Sequence, residues 1–366
     1  MVLVKDIVSV IEFKAPLGLQ EPYDNSGLLT GRRDQEVTGI LICLDVIPEI
    51  LDEAAKLGCN FILSHHPPFF SGMKQFSGNS LQEEILIRAI RNDIILYACH
   101  TNLDSVIDGV SGRMADKLGL INQRILVPRE DDLVKLVCFI PASHLEAVSQ
   151  AIFAAGAGSI GKYDNCSFLV SGNGTFKAGE GAHPFTGSIG TVHYEPETRF
   201  ETILPKHRLK QVVKAMLDSH PYEEVAYDLF PLINKNPAQG LGIIGELEQD
   251  CSEPEFLKRV KEVFRLPVIR HSRLRNKQVR KVALCGGSGI QFLKHAIFSG
   301  ADIYLTADIK YHSWFDVPGN LLLADIGHFE SEQFAINVLA DSLIENFSKF
   351  AVYLTKVNTN PINYLL

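Results

Sequence analysis

Short apolar runs of four to eight residues alternate along this chain with amphipathic stretches of ten or more, a rhythm that predicts strands covered by helices. An N-terminal amphipathic helix within MVLVKDIVSVIEFKAPLG is followed by a turn-rich loop, EPYDNSGLLTG, and by a buried strand over 37–44 that ends at Asp45. Pro48–Leu57 reads as a helix with proline in its first turn, stopped by Gly58. A strand over 60–63, a helix over about 81–92 and a strand over 94–99 follow. Strand, helix, strand, helix, strand is the succession of a parallel sheet with covering helices.

From about Leu126 the pattern changes. A strand over 133–140 leads into a helix in PASHLEAVSQAIFAAGAG, then into a glycine-dense region, 158–190, holding one strand at 166–170. A strand over 199–204, a helix over 206–219 and a strand over 224–230 complete the βαββαβ order of a ferredoxin-like domain. Turn-rich flanks near 127–132 and 234–242 mark 128–237 as a self-contained insert between 1–127 and 238–366. Beyond Gly240 the first pattern resumes: a helix over about 254–264, a strand over 281–285, a helix over 290–299, strands over 303–305 and 320–323, and a terminal helix from Glu330. The expected fold class is therefore α/β: a pseudo-duplicated parallel or mixed sheet domain interrupted by an α+β insert.

Composition narrows the function classes. A length of 366 residues suits two domains, and 46% hydrophobic residues allow a sizeable core. A formal net charge of −8 argues against a general nucleic-acid binder. The basic cluster Arg270, Arg273, Arg275, Lys277, Arg280 and Lys281 reads first as a solvated loop before a strand, with a binding patch as the alternative. Seven scattered cysteines without metal or redox spacing fit a reducing, cytoplasmic setting. No apolar run approaches the roughly 18 residues of a membrane span, so no membrane partner is expected.

The candidate chemistry lies at strand ends. In FILSHHPPFF, Pro67 and Pro68 cannot donate ladder hydrogen bonds, so the strand stops and presents His65 and His66 at its C-terminal end, where open α/β sheets bind ligands. A weak internal repeat assigns partners: aligning Gly58 with Gly300 sets Leu63 on Leu305 and His66 on Asp308. In each half the next strand leads to a histidine with a carboxylate four residues later, His100 with Asp104 and His328 with Glu332. At i and i+4 on a helix, His328 and Glu332 share one face. His65, His66, His328, Asp104 and Glu332 form a donor set for two divalent ions, zinc first, with iron or manganese as alternatives. Taken singly, a strand-end histidine is more often an ordinary hydrogen-bonded residue and an i, i+4 pair a surface contact. The joint placement favours the metal site.

Other positions carry competing readings. The run Gly286–Gly289 (GGSG) opens a helix and offers amides to a phosphate, but it lacks a P-loop lysine, and a structural turn fits as well. Asp308 and His312 read as groups supporting the site or facing substrate, and His100 as a proton carrier or a packed strand-end residue. SHPYEEVAYD reads as a helix-to-strand turn.

SHHPPFF, HTNLD, DIGHFESE and DNSGLL together resemble the GTP cyclohydrolase 1 type 2 homologues, the NIF-three-like family, across both outer segments. The middle segment resembles the PII-like insert of the longer bacterial members. The resemblance implies an α/β fold with two metal ions held at positions matching His65, His66, Asp104, His328 and Glu332. It also implies a toroidal homohexamer with metal sites facing an internal cavity. The expected function is a metal-dependent hydrolase of a nucleotide-like or small polar substrate, with His100 or His312 carrying protons. The alternative is a non-catalytic metal-binding scaffold whose insert senses a small ligand.

Overall fold

The protein is described here by a computed structural model covering residues 1–365. Contacts divide it into two compact units, Met1–Val127 with Ala238–Leu366, and Pro128–Pro237.

The first unit is mixed α/β, with two sheets. In the five-stranded sheet Gly27–Leu28, Ile95–Ala98, Phe61–Ser64, Ile40–Cys43 and Val352–Leu354 lie in that order, parallel except for the Gly27–Leu28 edge. The register sets Ile42, Leu63 and Tyr97 side by side in the interior. All four residues of each of the three central strands are buried, which is why they read as unbroken apolar runs. Helix Val4–Lys14 packs on one face through Val4, Ile7, Val8 and Ile11, the i, i+3, i+4, i+7 stripe of its sequence. Pro48–Leu57 covers the other face through Ile50, Leu51 and Ala54, and ends at Gly58 in the left-handed conformation, φ 71°.

The second sheet repeats the parallel triplet: Gln278–Leu284, Ile303–Thr306 and Leu322–Asp325, with Leu284, Leu305 and Ala324 in register. Arg270–His271 pairs antiparallel at one edge and Asn236–Ser252 on the other side, with Ile121–Arg129 beyond it. The expectation of turn-rich flanks at 127–132 and 234–242 is met only in part: bends fall at 130–131 and 234, while strands Ile121–Arg129 and Asn236–Ser252 run into the rest of those stretches. Glycine misleads in the second case: Gly242, at φ +67°, is a strand residue whose added Cβ would lie 2.9 Å from the Leu284 carbonyl oxygen. The basic cluster spans the loop before strand Gln278–Leu284, with Arg273 and Lys277 exposed, and several of its cations are paired. Arg270 pairs with Asp325, Arg275 with Glu253 at 2.6 Å and Arg280 with Asp250 at 3.0 Å.

In Pro128–Pro237 the order is strand Leu133–Pro141, helix Leu145–Ala154, strands Ser167–Lys177 and Val192–Pro205, helix Leu209–Ser219 and strand Tyr227–Leu232. The sheet order is Ser167–Lys177, Val192–Pro205, Leu133–Pro141, Tyr227–Leu232, with every neighbour antiparallel. Leu136, Cys138, Ile140, Phe200 and Leu204 face Val148, Ile152, Val212 and Met216 of the two helices. The central hairpin is longer than its hydrophobic pattern predicts, because Gly172 and Gly174 interrupt the alternation without ending the ladder.

Candidate metal centre

The two parallel triplets of the first unit end on one cluster. After Ser64 the chain stays tied to its neighbour, with the His65 and His66 amides donating to the Cys43 and Leu44 carbonyls at 3.1 and 2.9 Å, so both imidazoles leave the strand end in fixed directions. His100 precedes the single helical turn Thr101–Asp104. From the other sheet, Gly327 (φ 78°) turns the chain after Asp325 into helix His328–Glu332, where an added Cβ would strike Glu330 Oε2 at 2.2 Å.

Four imidazoles meet there: ring centres are 4.9 Å apart for His65–His66, 5.3 Å for His65–His100, 5.2 Å for His66–His100 and 5.4 Å for His66–His328. Each is held by its Nδ1. His65 Nδ1 lies 2.9 Å from the Cys99 carbonyl, His66 Nδ1 2.8 Å from Asp45, His100 Nδ1 2.8 Å from Asp24 and His328 Nδ1 2.7 Å from Asp308. All four partners are acceptors, so Nδ1 carries the proton and donates, and Nε2 of a neutral ring is left as a bare lone pair. Glu332 Oε2 stands 3.0 Å from His66 Nε2 and 3.1 Å from His328 Nε2, and its Oε1 is 3.9 Å from His65 Nε2. Buried His65 Nε2 and Glu332 Oε2 both lack a hydrogen-bond partner. Lone pairs converging on unpaired buried oxygen are costly unless positive charge sits among them.

The electrostatics state the same demand. Burial alone would lower the His66 and His328 pKa values, but carboxylates on both sides, Asp45 and Glu332 for one, Asp308 and Glu332 for the other, push them up to about 10 and about 11. Fully buried His65 is instead lowered by desolvation. Burial and the Glu332 charge raise Asp104 well above the usual carboxylate range, whereas Glu332, despite its burial, is held well below it by the surrounding imidazoles. His65, His66 and His100 bring ligand atoms within 4.8 Å of one another, as do His66, His328 and Glu332. The residues present therefore fit a divalent cation with nitrogen and oxygen ligands.

The cluster lies in a cavity of about 620 Å³, with Asp104, Tyr23, Phe70, Gln291 and Phe292 among its lining. The GGSG run is a structural turn: the amides of Gly286, Gly287 and Gly289 donate to the hydroxyls of Ser111, Ser331 and Thr306 at 3.2, 2.9 and 2.9 Å. That leaves three of its four amides committed, so the phosphate-cradle reading falls. His312 is not brought to the cluster. It sits on the 3₁₀ segment Tyr311–Asp316, exposed, with its ring 5.3 Å from Tyr311, and is not among the residues lining the cavity.

The tying carboxylates were only partly visible in the sequence. Asp308 stood opposite His66 in the repeat, and it holds His328. Asp45 could have been found from register, since Cys43 pairs with Ser64 and two further residues bring Asp45 to His66. Asp24, in DNSGLL, has no such local signal. Its buried carboxylate accepts from Ser26 Oγ, His100 Nδ1 and the Thr101 amide at 2.8, 2.8 and 3.0 Å. Burial would raise its pKa, but these donors, His100 foremost, hold it far below the ordinary value.

Fold and cluster together define a mixed α/β protein with a buried histidine–carboxylate centre able to hold a metal. The chain belongs to the Duf34/NIF3 (NGG1p interacting factor 3) family, whose profile matches residues 2–361. It is 36% identical to the "GTP cyclohydrolase 1 type 2 homolog" of Halalkalibacterium halodurans over 98% of each chain, and 34% identical to that of Bacillus subtilis over 99% of this chain and 98% of the relative. A solved Bacillus cereus protein related to NIF3 superposes with a TM-score of 0.86 at 36% identity, covering 100% of this chain and 99% of that one.

Proposed function

We propose that the protein is a metal-dependent hydrolase acting on a nucleotide-like or other small polar substrate, with two divalent ions held by His65, His66, Asp104, His328 and Glu332. The observation that carries this reading is the set of Nδ1-anchored imidazoles whose Nε2 atoms converge on an unpartnered buried carboxylate oxygen. Zinc suits this mixture of nitrogen and oxygen donors, and iron or manganese would be accepted by it. Bound ions would supply Lewis acidity toward a polar bond and a lowered pKa for water. His100, oriented by Asp24, holds or moves a proton at Nε2 on the cavity wall. His312 lies outside that wall and has no part in this reading.

Family membership supports the larger frame: a homohexamer, a metal-binding domain formed by 1–127 and 238–366, and a PII-like insert at 128–237. Seven free cysteines suit a reducing, cytoplasmic setting. No helix among the described residues is long and apolar enough to cross a membrane. A non-catalytic sensor is the second reading, favoured by the hydrophobic core that Pro128–Pro237 possesses on its own.

Metal analysis of purified protein tests the site. About two transition-metal ions per chain are expected, as a two-metal centre requires, and His66→Ala or Glu332→Ala should lose them; full metal content in both variants would sink the assignment. Incubating metal-loaded protein with GTP and a nucleotide panel, while following formate and phosphate release, tests the reaction. Turnover no greater than that of Glu332→Ala would favour the sensor.

A further inference from the structure

Two stretches play no part in the metal centre, the glycine-dense region and SHPYEEVAYD. Both lie in the Pro128–Pro237 unit, and together they line one cavity. It encloses about 510 Å³ between Gly174–Gly179, the Ala182–Phe185 loop and Tyr222–Ala226. The lining supplies the rings of Phe139, Phe176, Phe185 and Tyr222 and the carboxylates of Glu197, Glu223 and Glu224; Lys177 is the basic residue in the lining and is exposed. The Arg199 guanidinium lies 5.8 Å over the Phe139 ring, and Glu223 accepts the His183 amide at 2.8 Å, which leaves Phe176, Phe185, Tyr222 and Glu224 as the groups offered to a ligand.

We propose that this cavity binds a small organic cation, a protonated or quaternary amine carrying apolar substituents. Aromatic faces attract such a cation through their quadrupole, and desolvation in a cavity strengthens the attraction. Neighbouring carboxylates add charge complementarity that an anion or a neutral molecule would not use.

The receptor is built in advance. Glu197 Oε1 accepts the Tyr222 hydroxyl at 2.8 Å, and Glu197 Oε2 lies 2.1 Å from where a Cβ of Gly174 would stand, so glycine makes room for the carboxylate. Tyr222 is braced by the ring of His220 at 4.9 Å and that of Phe185 at 6.1 Å. His220 is itself pinned, its Nδ1 accepting the Tyr222 amide at 3.2 Å and its Nε2 donating to the Phe139 carbonyl at 3.0 Å. Burial and the Glu197 charge raise the Tyr222 pKa, so the phenol stays a hydrogen-bond donor.

Ligand-observed NMR on the full-length protein tests the proposal with two matched pairs, choline against 3,3-dimethylbutan-1-ol and benzylamine against benzyl alcohol. At least one cation should bind about tenfold tighter than its neutral counterpart, the margin expected of one desolvated cation–π contact. Phe185→Ala and Glu224→Gln, both at exposed positions, should weaken that cation severalfold while the melting temperature holds. His66→Ala should leave it unchanged, which separates this cavity from the metal centre. Equal affinity within both pairs, no saturable binding of either cation, or full binding by both cavity variants would overturn the proposal.

Discussion

A Cβ built on Gly287 would lie 2.2 Å from Glu332 Oε1 and 3.2 Å from His328 Nε2, and the residue has φ +58°. Alanine there must displace the carboxylate on which the imidazoles converge, so Gly287→Ala should cut metal affinity at least tenfold with little change in circular dichroism. Unchanged affinity in a chelator-competition titration would show that Glu332 does not hold the ion. Asp45 and Asp308 act one step further out, each fixing an imidazole through Nδ1. Asp45→Asn and Asp308→Asn should each weaken metal binding by about 10- to 100-fold, the usual cost of losing such a partner, and the same titration reads it. The five proposed ligands were legible in the sequence because strand ends and i, i+4 spacing are local patterns. Asp24 and Gly287 were not, because their roles exist only once distant segments meet: Asp24 reaches His100 across 76 residues and Gly287 faces a helix 41 to 45 positions later.

At the level of elements, the buried parallel strands were readable because burial on both faces leaves a continuous apolar run, as in Ile40–Cys43 and Ile303–Thr306. Edge and junction strands were not. Val352–Leu354 is half exposed, and Asn236–Ser252 contains Pro237, Gly240, Gly242 and Gly245 in a ladder whose register shifts between Glu246 and Cys251. The GGSG turn has the local chemistry of an anion cradle, and only its three-dimensional partners reveal its use. Ser331 shows that use best, accepting the Gly287 amide at 2.9 Å and donating to the His328 carbonyl at 2.8 Å while fully buried. Ser331→Ala should cost about 1–3 kcal/mol of stability, because a buried amide loses its acceptor. A melting or denaturant curve showing no loss would mean that the turn finds another acceptor.

For the whole molecule, acid sensitivity is expected to arise partly in the Pro128–Pro237 unit, far in sequence from the ligand set. His207, in the turn before helix Leu209–Ser219, is pushed down to about 4 from its ordinary 6.5, first by burial and then by the charges of Arg208 and Arg129, and its buried Nδ1 lacks a partner. A folded-state pKa below the unfolded one means that the unfolded chain takes up the proton first as pH falls. The neutral-histidine contribution is therefore complete above pH 6.5 and is lost progressively as pH falls toward about 4. Glutamine keeps hydrogen-bonding capacity but cannot titrate, so His207→Gln should flatten the decline in melting temperature across that window and leave the curve above it parallel to that of the parent. Comparing the two proteins metal-free, at matched ionic strength, cancels carboxylates common to both. Curves that stay parallel from pH 7.5 down to 4 would show that the His207 proton equilibrium does not change on folding.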